Sequence, residues 1–179
     1  MQLGEGVEWA LHCCSLLAFV PEGNTLPASR LAEYHGVPPA YLAKHLQALA
    51  QAGIVDSVPG RKGGYRLARP AAEITLLEVV DAVEGSGPAF RCTEIRRRGP
   101  TRVAAAEYRS PCGIHLAMQR AEDAWRGELE RQTIADLLQH LAASVSPVAV
   151  RKSATWFREV LPRHRSERGS GRSPEEVSR

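Results

Sequence analysis

Long hydrophobic runs are missing from this 179-residue sequence, and the longest candidate, residues 11–20, is about half the length needed to span a bilayer. The first residues also lack the positive charge of a secretory signal peptide, because Glu5 and Glu8 stand there instead. Only four cysteines are present. In the cytoplasmic protein that these features predict, cysteines more often bind metal, act in redox chemistry or lie buried than form structural disulfides.

Enzyme signatures are equally scarce. The glycine-rich residues 60–64 do not have the spacing of a phosphate-binding loop, and no Ser-His-Asp or paired-carboxylate set stands out. We therefore expect no catalytic residues, no small-molecule substrate and no membrane partner. The hydrophobic fraction, 44%, is ordinary for a globular protein with a real core.

Residues 37–53 predict a recognition helix, around which the rest of the chain is organised. Leu42, Leu46 and Leu49 recur at the spacing of one apolar helix face, after two prolines that suit a helix start. A shorter helix is expected at residues 27–35, and a glycine-containing turn separates the two. Two short helices joined in this way are the signature of a helix-turn-helix.

A hairpin wing is predicted directly after the recognition helix. Residues 54–58 and 65–67 have strand character, and the glycine-rich residues 59–64 join them as a turn. An amphipathic helix over residues 5–19 precedes the whole module. The predicted fold class is therefore mainly α: a winged helix-turn-helix domain with a small β-hairpin wing, plus a long dimerisation helix farther along the chain.

Charge is gathered on this module although the net charge of the chain is only +3. Residues 28–69 hold six basic residues against two acidic ones, whereas residues 70–90 hold acidic residues and no Lys or Arg. Positive charge on a helix and wing is the usual footprint of phosphate binding, so we predict a double-stranded DNA operator as partner. The residues expected to contact DNA are Arg30, Pro39, Tyr41, Lys44, His45, Arg61 and Lys62.

The second half of the chain predicts more helix and one long loop. Thr75 and Glu78 have capping-box spacing, which predicts a helix start. Residues 89–111 are irregular, and a loop of this length is either functional or disordered. The long helix after Pro111 carries a narrow apolar seam that favours packing on a second copy of the chain, hence a homodimer. The seam residues are Ile114, Met118, Ala121, Trp125 and Leu129.

Several stretches, taken in order, resemble the Rrf family of bacterial regulators. They are GRKGGYRLARP after the recognition helix, EITLLEVVDAVEG, a cysteine-bearing loop, and CGIHLAM at the start of the long helix. The similarity spans residues 1–143, and the Gly-Gly-Tyr of the wing is its most specific local feature. The resemblance implies a winged-helix domain with a long dimerisation helix. It also implies transcriptional control, as a repressor, that depends on an iron–sulfur cluster.

The stretches GVEWALHCC and FRCTEIRRRGP are most similar to a redox-sensing [2Fe–2S] subgroup of that family. Many cluster-binding members place three closely spaced cysteines in the loop, whereas this loop has Cys92 and Cys112 with nineteen residues between them. The resemblance implies that these two thiolates are completed by Glu8 and His12 from the first helix of the partner subunit.

The chemistry of this donor set is reasonable on its own terms. Glu8 and His12 are spaced i, i+4, so one helix face could present both to a single metal atom, although the same spacing is typical of a solvated pair. Imidazole ligation raises the reduction potential of a [2Fe–2S] centre, and a carboxylate ligand is weaker and harder than sulfur. Such a labile site suits a sensor. Trp9, next to Glu8, is expected to lie in the core or at an interface. A second hypothesis is that Trp9 is a switch that moves when a ligand of the cluster shifts.

Other interpretations of the same residues stay open. One is a cluster-free regulator in which Cys92 and Cys112 form a disulfide, and another is a DNA-binding protein with structural zinc on the same ligands. His115, one helical turn after Cys112, is a reserve ligand. Cys13 and Cys14 are expected to serve packing. The run at residues 96–98 is a solvated surface, a counter-charge for the thiolates or a further DNA contact.

The expected organisation of the chain follows from these assignments. It comprises a winged helix-turn-helix DNA-binding domain at residues 1–84, a cluster-binding loop at 85–111, dimerisation helices at 112–143, a C-terminal extension at 144–162 and a disordered tail at 163–179.

Overall fold

The computed structural model of the protein describes residues 3–60 and 63–161. The chain divides into two compact units, with the boundary between Val145 and Ser146. The helices in the described ranges are α1 Glu5–Leu17, α2 Ala28–His35, α3 Pro39–Gln51, α4 Leu76–Glu84, α5 Gly113–Arg131, α6 Ile134–Ser144 and α7 Pro147–Val160. The strands are β1 Val55–Val58 and β2 Gly64–Leu67, and short 3-10 turns lie at Ala71–Glu73, Ile95–Arg97 and Ala105–Glu107.

Helices α2 and α3 form the predicted helix-turn-helix. Gly36 ends α2 with a φ of 65°, a left-handed conformation that glycine adopts without steric cost. Leu42, Leu46 and Leu49 of α3 are fully buried, and burial of each such side chain contributes about 1.5–3 kcal/mol. The 3.6-residue periodicity of these leucines therefore fixes which face of α3 is left for other contacts.

The wing is a two-stranded antiparallel sheet in which Val55 pairs with Leu67 and Val58 with Gly64. An additional bridge joins Tyr65 to Leu26, through backbone hydrogen bonds of 2.8 Å and 2.9 Å. The mainly helical fold with one small hairpin confirms the predicted fold class. Arg61 and Lys62, which were predicted to contact DNA, lie outside the described residues.

The capping box predicted at Thr75 starts α4. The Thr75 hydroxyl accepts from the Glu78 N–H at 3.1 Å, and the Glu78 carboxylate accepts from the Thr75 N–H at 2.8 Å. Arg69 donates to the same carboxylate at 2.6 Å. Burial alone would raise the pKa of the Glu78 carboxyl, but the hydrogen bonds from Thr75 and Arg69 outweigh it and hold the pKa below its ordinary value.

Glu78→Gln should lower the free energy of unfolding by about 1 kcal/mol at pH 7, because it weakens this cap. Since the folded-state pKa of Glu78 is depressed, its contribution is present above the unfolded-state value of about 4.3 and is lost as the pH falls through the folded-state value. The gap between variant and wild type should therefore close in acid. Urea denaturation from pH 7 to pH 3 measures it, with the exposed Glu22→Gln as control. A gap that stayed constant over this range would contradict the prediction.

Helix α5 is joined to α4 near its C-terminal end. Arg126 makes a bidentate ion pair with Asp81 of α4, at 2.9 Å and 2.6 Å. Near the start of α5, by contrast, Ile114 is 65% exposed and Met118 is 43% exposed. The first turns of the predicted seam thus present apolar surface to solvent in a single chain.

Helix α6 begins with a second predicted capping box, in which the Thr133 hydroxyl accepts from the Asp136 N–H at 3.2 Å. Ile134 is fully buried and its N–H donates to the Ile74 carbonyl at 2.9 Å. The second unit contains α7, where a short element was expected near Trp156. The predicted disordered tail, residues 163–179, lies outside the described residues. Among those that are described, no helix combines the length and apolarity needed to cross a membrane.

Candidate functional site

The two loop cysteines, far apart in sequence, meet in space. Cys92 and Cys112 are both free and half-buried, and their sulfur atoms lie within 4.8 Å of each other. They line a cleft of about 650 Å³ between the loop and the first turn of α5. The irregular loop is therefore folded around its thiols, with two 3-10 turns in place of longer elements.

Glu94 is the third member of this cluster. Its N–H donates to the Cys92 sulfur at 3.4 Å, and the Cys92 thiol donates to Glu94 Oε1 at 3.5 Å. With a φ of 48°, Glu94 is the one non-glycine residue among those described that has a positive φ. A left-handed conformation costs a non-glycine residue roughly 1–2 kcal/mol, and such outliers concentrate at functional sites.

Arginine side chains surround the cluster. Arg96 donates to both Glu94 carboxylate oxygens, at 2.8 Å and 3.0 Å, and Arg97 lies 3.7 Å from the same group. The Tyr108 hydroxyl donates to the Arg96 carbonyl at 2.5 Å, and its ring centroid is 5.0 Å from the Arg96 guanidinium carbon. The hydrogen bond from Arg96 holds the pKa of the Glu94 carboxyl below its ordinary value.

The two thiols differ electrostatically. The backbone amides of His115 and Ile114, together with the Arg96 guanidinium, lower the pKa of the Cys112 thiol. For Cys92 the Glu94 N–H acts in the same direction, but desolvation and the Glu94 carboxylate outweigh it and raise the pKa. Cys112 is thus the sulfur whose thiolate form is favoured locally, as is usual for a cysteine at a helix N-terminus.

Cys13 and Cys14 of α1 have the opposite character, because both are fully buried. Desolvation raises the pKa of each thiol to about 12. Buried thiols of this kind behave as small hydrophobic groups, which agrees with the packing role expected for them.

Glu8 and His12 are exposed on α1. The His12 ring centroid lies 5.5 Å from that of His35 on α2. Among the described residues, the third donor close to Cys92 and Cys112 is Glu94. Glu8 and His12 of the same chain do not belong to this group. The assignment of Glu8 and His12 as ligands to a partner's thiols stays a prediction.

Helix α1 contacts the recognition helix through Gly6, Trp9 and His45. The ring centroids of Trp9 and His45 are 6.0 Å apart in an edge-on arrangement. A Cβ atom at Gly6 would lie 2.3 Å from His45 Cε1, so the imidazole packs directly against the α1 backbone. His45, predicted to contact DNA, is therefore half-buried against α1, whereas Tyr41 is 66% exposed.

Gly6→Ala should destabilise the protein by about 1–2 kcal/mol, because the His45 ring has to move. In a His45→Ala background the sign should reverse, since alanine is the better helix former by up to about 1 kcal/mol. A double-mutant cycle by urea denaturation measures the coupling. Gly113→Ala, whose new methyl group would meet open space, is the control. Additive effects of the two substitutions would contradict direct contact.

Other predicted DNA contacts are placed as follows. Pro39, at the first position of α3, and Lys44 are exposed. Arg30 on α2 is paired with Glu33 at 2.6 Å. Sequence reasoning did not include Gln47, which is exposed three residues after Lys44 on the same helix. It also missed Glu94, for which closeness to Cys92 in sequence was the one signal.

A helix-turn-helix with a hairpin wing and a long helix bearing an exposed apolar seam defines the winged-helix class of regulators. The Rrf2 family model, described as an iron-dependent transcriptional regulator, matches residues 3–140. YwgB of Bacillus subtilis, named as an HTH-type transcriptional regulator, is 32% identical over 141 residues, covering 79% of this chain and 84% of YwgB. Protein aau3 of Rhizobium meliloti is 39% identical over 145 residues, covering 77% and 82% of the respective chains.

Solved structures share the fold. The oxidised form of CymR from Staphylococcus aureus has a TM-score of 0.57 and 24% identity, over 77% of this chain and 96% of CymR. IscR of T. potens has a TM-score of 0.61 and 20% identity, over 84% and 96% of the respective chains. The family match over residues 3–140 and the similarity to the Bacillus relative show that the chain belongs to the Rrf2 family of transcriptional regulators.

Proposed function

We propose that the protein is a homodimeric, DNA-binding repressor whose affinity for its operator depends on the redox state of a [2Fe–2S] cluster. The observation that carries the proposal is the meeting of Cys92 and Cys112 in one cleft, on a loop that brings no third cysteine. Two thiolates can hold one iron of such a cluster, and the other iron then needs donors from elsewhere.

The donor set on this chain fits that requirement. Glu8 and His12 are exposed on one face of α1, where a second subunit's loop could reach them. The Cys92–Cys112 cleft in turn lies beside the start of α5, where Ile114 and Met118 are exposed. Pairing two copies through this seam would bury apolar surface next to the thiols, and we propose that the partner's α1 then supplies Glu8 and His12.

The contact between α1 and α3 supports a route from the ligands to DNA. When bound, the cluster would supply a one-electron change of charge beside Glu8 and His12. Trp9 lies between these two residues in sequence and touches His45 of α3, so a shift of α1 is passed to the recognition helix. Tyr41 and Lys44 on the exposed face of α3 would then be repositioned in the major groove.

Gel-shift titration with oxidised and with dithionite-reduced protein tests the proposal. We expect the operator affinity to differ by about 5–150-fold between the two states, the usual range of an allosteric coupling. Equal affinity would overturn redox control while leaving DNA binding intact. Iron and acid-labile sulfide counts on anaerobically purified protein check the cofactor itself, and a colourless protein would overturn the cluster.

The closeness of the two thiols favours one alternative, a cluster-free switch in which Cys92 and Cys112 form a disulfide. Hydrogen peroxide would accept two electrons and two protons from the two thiols and leave two water molecules. The product would be lighter by two hydrogen atoms, and its Cys92 and Cys112 peptides would be joined. DNA affinity that follows this mass change in iron-free protein would favour the disulfide over the cluster.

A further inference from the structure

Three donor atoms of one protomer lie together before any partner is present. Cys92 Sγ, a Glu94 carboxylate oxygen and Cys112 Sγ are all within 4.8 Å of one another. The distance from Cys92 Sγ to Glu94 Oε1 is 3.5 Å. A sulfur and an oxygen bound to the same tetrahedral zinc ion are about 3.6 Å apart, so this pair already has the span of two zinc ligands.

The Glu94 carboxylate is fixed in place rather than free to swing. The Glu94 backbone has the left-handed conformation, and Arg96 donates hydrogen bonds to both carboxylate oxygens of Glu94. Each carboxylate oxygen has two acceptor positions, so the Arg96 hydrogen bonds leave capacity for a metal ion. A ligating carboxylate is usually held in this way by an outer hydrogen-bonding partner.

A further candidate donor, His115, lies one helical turn into α5, outside the group of three whose donor atoms are within 4.8 Å of one another. His115 lines the same cleft, and its Nδ1 atom is buried without a hydrogen-bond partner. A buried ring nitrogen with no partner requires an explanation, and an imidazole beside two thiolates is a common zinc ligand. With His115 the cleft offers two sulfurs, one oxygen and one nitrogen.

We propose that Cys92, Glu94 and Cys112, with His115 as the fourth donor, form a mononuclear site for a zinc-like divalent cation within a single protomer. The sulfur and nitrogen donors favour zinc and related transition metals over magnesium or calcium, which prefer all-oxygen sites. Two thiolates and a carboxylate leave one negative charge on a divalent ion, and Arg96 and Arg97 lie beside it.

This site differs from the proposed cluster in what it requires. It uses no residue of the partner subunit, whereas the cluster needs Glu8 and His12 as well as both thiols. Since both use Cys92 and Cys112, one excludes the other. Zinc bound to the protomer would keep the sulfurs from the cluster, so the DNA affinity of zinc-loaded protein would not respond to dithionite.

Cobalt(II) titration of metal-free, full-length protein under reducing conditions tests the site. We expect one cobalt ion per protomer, with sulfur-to-cobalt charge-transfer absorption and tetrahedral ligand-field bands, displaced by zinc. Glu94→Gln and His115→Ala should each weaken binding at least about tenfold. Glu107→Gln, which changes an exposed carboxylate of the same loop, is the matched control and should bind as wild type does.

Glu8→Gln separates the two proposals, because it should abolish the reconstituted cluster and leave cobalt affinity unchanged. Cobalt affinity that is unchanged in Glu94→Gln, or reduced in Glu8→Gln, would overturn the mononuclear site. X-ray absorption of zinc-loaded wild type gives a check that depends on no variant. Two sulfur and two nitrogen or oxygen ligands are expected, and three or more sulfurs would overturn the assignment.

Discussion

Cys112→Ser should remove bound iron and redox-dependent DNA binding together. Cys112 starts α5 and is the thiol whose pKa is lowered, first by the backbone amides of His115 and Ile114. Serine keeps the shape of the side chain but is a poor ligand for iron, and loss of one of two sulfurs should lower cluster content more than tenfold. The oxidised and reduced affinities for DNA should then become equal. Iron and sulfide analysis and paired gel-shift titrations measure both effects.

Cys92→Ser should behave in the same way, because the second sulfur cannot hold the cluster alone. Cys13→Ala is the matched control for loss of a thiol. Cys13 is fully buried and its pKa is raised to about 12 by desolvation, so its removal should cost about 1 kcal/mol of stability and leave iron unchanged. If Cys112→Ser retained its iron while Cys13→Ala lost it, the cluster would have to be moved to α1.

The order of the elements could be predicted because each has a local signal. Three leucines at helical spacing define the buried face of α3, and glycine at residue 36 ends α2 in the left-handed conformation. The capping boxes at Thr75 and Thr133 mark helix starts through residues only three apart. Such signals act within one turn of helix, so a single sequence is enough to find them.

The cluster of donors at the loop could be predicted only in part. The irregular residues 89–111 have no periodicity, so nothing in their order says that Glu94 turns back onto Cys92. That contact depends on a positive φ at a glutamate, an exception to the usual preference for glycine, and on Arg96 holding the carboxylate. Contacts that arise from such a conformation appear only once the chain is folded.

The packing of α5 shows a second limit of sequence reasoning. In the sequence, its seam is one continuous apolar stripe. In the structure, Arg126 near the C-terminal end forms an ion pair with Asp81, whereas Ile114 near the start is exposed. Hydrophobic periodicity marks a face as apolar but does not say which molecule covers it. The Arg126–Asp81 ion pair joins α5 to α4 near its C-terminal end, and the exposed Ile114 and Met118 near its start are the surface proposed to pair with a second copy.

The glycine pair of the wing has a steric reason that accounts for its place in the sequence. A Cβ atom at Gly64 would lie 2.5 Å from the carbonyl carbon and oxygen of Leu26 and 2.7 Å from the Pro27 nitrogen. All three are backbone atoms, which cannot move aside as the end of a side chain can. At Gly63 a Cβ would lie 2.1 Å from the Val58 carbonyl oxygen. At both glycines the backbone therefore lies too close to neighbouring backbone for any side chain.

Gly64→Ala should accordingly destabilise the protein by about 3–5 kcal/mol. Overpacking against rigid backbone costs about 1–3 kcal/mol, and separation of Leu26 from Tyr65 would break two backbone hydrogen bonds worth about 1 kcal/mol each. Urea denaturation measures the change, with Gly87→Ala as control, since its Cβ would meet nothing closer than an Arg91 nitrogen at 3.8 Å. A cost below about 0.5 kcal/mol would show that the wing can leave Leu26 freely.

Because a displaced wing loses its position on the DNA backbone, Gly64→Ala should also lower operator affinity. The loss should be the same in the oxidised and the reduced protein, unlike the effect of Cys112→Ser.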